Sequence, residues 1–179
     1  MDKSILEALA LFVENKYIKK ESLGRVPHVL YSLRPCLDEK TKESVTQNNT
    51  LQATNINAWI GSAIQPSFNE VLFQYIDSKR IAKDSEVYKK AGVDRKTFSK
   101  IRSSKNYKPG KSTVIALALA LELNEKDTEN LLEAAGYALT YNQKFDLTVR
   151  FCIKNKIYNL IQVNELLDYM GQRVLQCSS

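Results

Sequence analysis

Apolar side chains recur along this chain at intervals of three and four, and that period predicts helices rather than strands. Between residues 3 and 19, Ile5, Leu6, Leu9, Ala10, Phe12, Val13, Tyr17 and Ile18 fall on one broad face, with Lys3, Glu7, Glu14 and Lys16 elsewhere. A helix with a wide apolar stripe is expected there, and the stripe needs cover. The rest of the chain, the same helix of a second copy, or another protein could supply it. A second helix is expected from Phe68 to about Arg80, capped by Ser67, with Phe68, Val71, Leu72, Tyr75 and Ile76 inward. Two short helices then flank Gly92. The first opens at Asp84, a side-chain acceptor suited to capping, and turns Val87, Tyr88 and Ala91 inward. Gly92 ends it by taking positive φ, and apolar Val93 tucks beneath the turn. Asp94 starts the next, whose inward positions are Thr97, Phe98 and Ile101, leaving Arg95, Lys96, Ser99, Lys100 and Arg102 on the other faces.

From Ser112, read as a cap, to Leu123 the residues Val114, Ile115, Leu117, Ala118, Leu121 and Leu123 leave almost no polar face before Glu122. Such a helix must be central. Asn124 breaks it, and a helix from Glu125 to Ala135 stops at Gly136. Two more, about Gln143 to Asn155 and Val163 to Met170, bring Phe145, Leu147, Val149, Phe151, Ile157, Leu160, Leu166, Leu167 and Tyr169. They either extend the core or build a dimer face. The fold class is therefore all-α, with an N-terminal helical extension over 1–37, a linker and approach segment over 38–66, a helical domain over 67–137, and a C-terminal helical pair and tail over 138–179. Within the extension, Pro27 and Pro35 flank HVLYSLR, a short strand or an irregular apolar segment. The linker is assigned on its Lys, Glu, Thr, Gln and Asn content, and Trp59, Ile60 and Ile64 are expected to pin its end onto the domain.

The stretch DSEVYKKAGVDRKTFSKIRSS, with Ala-Gly-Val before a small capping residue and then Thr-Phe-Ser-x-Ile, resembles the Cro and lambda-repressor type of helix-turn-helix, the XRE family. The likeness continues through KNYKPGKSTVIALALALELNEKDTENLLEAAGYAL, similar to that family's proline loop, Ala/Leu helix and short helix ending in Ala-Gly-Tyr. With the tail KFDLTVRFCIKNKIYNLIQVNELL the module is also similar to the C-terminal helix-turn-helix segment of some bacterial macro-domain proteins. The resemblance implies a five-helix, repressor-like domain with two extra C-terminal helices. It implies a cytoplasmic, bacterial, sequence-specific DNA-binding transcriptional regulator, acting as a homodimer on double-stranded DNA.

On that implication the helix from Arg95 to Arg102 enters the major groove, with Arg95, Lys96, Ser99 and Lys100 nearest the base edges. Lys90, Arg102, Lys105, Lys108 and Lys111 would meet phosphates. The chain departs from the family pattern at Asp84, where relatives commonly carry glutamine, at Tyr88, where they carry alanine, and at Ser104, in place of a glycine. Tyr88 either holds the two helices apart or projects sideways. The alternative reading is a non-enzymatic protein-interaction or adaptor module of a bacterial signalling or defence system, its N-terminal helix binding a protein partner.

In the adaptor reading the basic face would take an acidic partner or a structured RNA; the charge distribution itself favours an anionic partner, nucleic acid foremost. Lys89 to Lys111 holds nine Lys or Arg and one acid, a balance of +8 against +6 for the whole chain, so the remainder sums to −2 and the basic character is one patch. Other chemistry finds little support. Cys36, Cys152 and Cys177 are odd in number, far apart and without partner histidines, which suggests reduced thiols and no metal site. Pro109-Gly110-Lys111-Ser112 ends like a phosphate loop, but Lys105 stands where the first glycine belongs. His28 is the sole histidine and has no nucleophile motif, and the acids are not paired. No enzyme activity and no cofactor are expected. The longest apolar run, Val114 to Leu121, is eight residues, too short to cross a bilayer, so no membrane partner is expected either.

Overall fold

A computed structural model describes residues 3–17, 56, 58, 60, 65–104 and 107–175. The chain divides into a unit formed by residues 1–20 with 66–179 and a second unit, 21–65, in which Ile56, Ala58 and Ile60 are helical. His28, Cys36, Trp59, Ile64, the two-proline segment and nearly all of the expected linker lie outside the described residues, as do Lys105 and Cys177.

Among its described residues the first unit is all-helical, with eight α-helices and no strand: α1 (Lys3–Lys16), α2 (Phe68–Ser78), α3 (Asp84–Lys90), α4 (Arg95–Ser103), α5 (Lys111–Ala120), α6 (Glu125–Ala134), α7 (Lys144–Lys154) and α8 (Leu160–Tyr169). The apolar period places each of them to within a few residues, and side-chain caps set the starts of α2, α4, α6 and α8. Ser67 forms a full capping box with Glu70, and the Asp94 carboxylate accepts from the Lys96 and Thr97 amides at the start of α4. Asp84, by contrast, is the first residue inside α3, preceded by Lys83 with no side-chain cap, because its carboxylate is turned toward Arg102. Ser112 is not a cap either: α5 starts one residue earlier, after Gly110. α8 begins at Leu160, three residues before the expected start, since the Asn159 side chain accepts from the Ile161 and Gln162 amides.

At the other ends, Gly92 takes φ +61 and lets the Val93 amide reach the Tyr88 carbonyl and the Gly92 amide the Lys89 carbonyl, a Schellman closure that turns the chain from α3 into α4. α2, α5 and α7 close in the same way with Arg80, Glu122 and Lys156 at φ 53, 51 and 57. A side chain in that region costs roughly 1 to 2 kcal/mol, partly offset by glycine's larger unfolded-state entropy. Lys156→Gly is therefore expected to stabilise the protein by about 0.5 to 1 kcal/mol, raising Tm by roughly 1 to 4 °C in a thermal melt.

The core is continuous through the unit. Val114 to Leu121 and Leu123 are all buried, so α5 is the central element that the apolar run required. α5 packs against α3, α6 and α8, α6 also touches α2 and α7, and α7 packs on α8 and α1. The C-terminal pair thus extends the core. The apolar stripe of α1 is covered within the chain: Leu9 and Val13 are buried, the Phe12 and Phe151 rings lie 5.6 Å apart, and Lys144 and Lys154 sit over Tyr17 and Phe12.

α7 is buried along its length from Asp146 to Ile153, including two charges. The fully buried Asp146 carboxylate accepts from Lys111 Nζ at 2.6 Å and from the Thr140 amide and hydroxyl at 2.8 Å. Arg150, one turn on, donates to Glu125 at 2.5 Å, Glu129 at 2.6 Å and the Leu139 carbonyl at 2.8 Å, and its guanidinium lies 4.5 Å from the Tyr141 ring centre. These two residues fasten α7 to α5, α6 and the connection after α6. On the same helix Cys152 is buried, and desolvation pushes its thiol up to about 12. In a Cys36→Ser/Cys177→Ser background, Cys152 is expected to resist a thiol reagent at about pH 8 in the native state and to react only as the protein unfolds. Rapid labelling under native conditions would contradict the burial.

Candidate nucleic-acid interface

The surface of interest is the outer side of α3 and α4. α4 packs chiefly against α3, with Phe98 and Ile101 buried beneath it and Thr97 half-buried. An aromatic group holds the helices together: Phe98 meets Phe73 of α2 edge-on at 6.3 Å and Tyr88 of α3 at 5.7 Å. Tyr88 is half-exposed while Val87 and Ala91 are the fully buried residues of α3 and its cap, so the tyrosine packs at the margin of the α3–α4 contact. After α4, Ser104 is extended at φ −118 and needs no glycine. Its carbonyl accepts from the buried Asn69 side chain of α2 at 2.9 Å, which fixes the exit of α4.

With this inner face fixed, helical geometry sorts the polar residues into two adjacent stripes. Arg95, Ser99 and Arg102 stand at i, i+4 and i+7, as do Lys96, Lys100 and Ser103. All are exposed. Arg95, Lys96 and Lys100 have no acidic partner among the described residues. The structure therefore brings the four expected base-facing residues, Arg95, Lys96, Ser99 and Lys100, together on one outward surface. Lys89, which the helical spacing of α4 does not include, is also exposed in the last turn of α3.

The expected phosphate contacts are less uniform. Arg102 pairs with Asp84 and lies 5.3 Å from the Phe73 ring centre, linking all three helices. Lys90 donates to Glu122 at 2.6 Å, and this bond with the lysine's charge holds the Glu122 carboxyl below its ordinary value. Lys108 is exposed and sits over Tyr137 at 5.0 Å, so close to Gly136 that a Cβ there would come within 2.8 Å of Nζ. Lys111 is committed to Asp146. Its ammonium is tied into the core, which also gives the Gly-Lys-Ser sequence a structural role. The acid partners were not visible in the sequence, because Asp84 and Arg102 are 18 residues apart and Lys111 and Asp146 are 35 apart. Only the packing of the helices unites them.

Among the described residues no group of His, Cys, Asp and Glu is arranged to hold a metal ion, and no helix is long and apolar enough to cross a membrane. No family model, curated protein or solved structure matches the chain.

Proposed function

We propose that the chain is a DNA-binding regulator of the Cro and lambda-repressor type, in which α4 lies in the major groove and α3 spans the backbone beside it. One observation carries this reading. Lys90, Arg102, Lys111 and Arg150 pair with the unit's own acids, whereas Arg95, Lys96 and Lys100 cluster, exposed, on the outer face of one nine-residue helix that carries no acidic residue, and have no acidic partner among the described residues. Leaving three cations unneutralised on adjacent turns is useful to a protein whose partner is a polyanion. Arg95 and Lys96, in the first turn, suit the paired acceptors of guanine, and Ser99 and Lys100 follow one turn later. Lys89 and Lys108 would meet phosphates. Four side chains read few base pairs, so specific binding calls for two copies on a palindromic site, with half-sites about 34 Å apart or a multiple of it.

The test is selection from pooled random-sequence duplex DNA across a salt series, with sequencing of what the protein retains. A palindromic consensus is expected, and affinity should fall steeply with salt. Retention without a consensus would replace this reading with that of a general polyanion-binding adaptor. No retention at any salt would remove nucleic acid from the account.

A further inference from the structure

We propose that Asp84 attenuates nucleic-acid binding by occupying Arg102 in the free protein, an inference that rests on the DNA-binding reading above. Arg102 shares a stripe with Arg95 and Ser99, so its guanidinium reaches toward the same surface. Unlike Arg95, it is held: Asp84, at the first position of α3, pairs with it from one side and the Phe73 ring lies against it. The arginine side chain stays 62 % exposed and the aspartate 29 %. A phosphate can reach the guanidinium, but it arrives where a carboxylate already sits. The fork of the guanidinium matches carboxylate and phosphate alike, so Asp84 stands in for the phosphate that Arg102 would otherwise take. Arg102 therefore releases fewer counterions from DNA than a free arginine would.

Neutralising Asp84 separates this device from plain surface charge. Asp84→Asn should bind duplex DNA roughly three- to tenfold more tightly at about 0.1 M salt, with the dependence of log affinity on log salt steeper by about 0.9, the increment for one further neutralised phosphate. Glu86→Gln removes the same charge from the same first turn, and Glu86 has no ion-pair partner among the described residues. It should change affinity less than about twofold. In an Arg102→Ala background, Asp84→Asn should also have little effect, because the group it frees is gone. Thermal melts of each variant confirm that the folded protein is compared throughout.

Three results would overturn the proposal while leaving DNA binding intact: no gain from Asp84→Asn, an equal gain from Glu86→Gln, or a gain that persists without Arg102. Failure of both the wild type and Asp84→Asn to bind would instead remove the DNA-binding reading, and this inference with it. Binding that appears only in Asp84→Asn would support attenuation in its strongest form.

Discussion

Asp146→Ala is expected to lower the unfolding free energy by about 3 to 5 kcal/mol, the usual cost of breaking a buried ion pair from one side. The substitution removes the acceptor of Lys111 Nζ and of the Thr140 amide and hydroxyl. It leaves an ammonium that is mostly buried without a counter-charge, and two donors without a partner. In a thermal melt the loss corresponds to roughly 6 to 20 °C in Tm. Removing both charges should cost far less than removing one, so Lys111→Met added to Asp146→Ala should recover a large part of the stability. If the single variant melts within about 2 °C of the wild type, the pair is not the fastening between α5 and α7 described above. Lys111→Ala offers a related comparison with the interface: it should reduce stability while leaving the salt slope of DNA binding nearly unchanged.

The second large effect is expected on the outer face of α4. Arg95→Ala/Lys96→Ala/Lys100→Ala removes three exposed cations from one helix face. Alanine is the best helix former and none of the three side chains is buried, so stability should change by less than about 1 kcal/mol. Affinity for duplex DNA should fall roughly a hundredfold or more at about 0.1 M salt, and the salt slope should flatten by about 0.9 for each phosphate that is no longer neutralised. Binding measured by fluorescence anisotropy across a salt series separates the two quantities. On a selected site, Lys96→Ala alone should relax the base preference at one position, at a cost of about 1 to 3 kcal/mol. Unchanged affinity in the triple variant would assign the binding surface elsewhere.

These two regions differ in how far the sequence discloses them. Around Gly92 the information is local. Asp94 caps the amides two and three residues on, Phe98 and Ile101 keep the helical period, and the Val93 amide reaches back five residues to Tyr88. Each of these can be read within a window of ten residues, and so can the exposed positions that remain. In α7 the sequence KFDLTVRFCIK puts Asp146 and Arg150 four apart, the signature of a solvated polar face. Both are buried because α5, α6 and the connection after α6 cover that side, and nothing within the segment announces it. The same holds for Asp84, whose position before an apolar stretch fits a cap. Its partner is chosen by the angle at which α3 meets α4. Local chemistry is legible in the sequence, whereas which acid meets which base is decided by tertiary packing.

Contact between the outer face of α4 and DNA bases is the centre of the functional reading, and proximity crosslinking tests it most directly. In a Cys36→Ser/Cys177→Ser background, a cysteine is placed at Ser99, between the two ends of the Arg95 stripe of α4, or at Ile161, exposed on α8. Each protein is mixed with the selected duplex carrying a thiol tethered to a base in the major groove. Disulfide crosslinking at Ser99→Cys, confined to one base position in each half-site and absent at Ile161→Cys, is the predicted result. Equal crosslinking at both positions, or crosslinking at Ile161→Cys alone, would contradict the account.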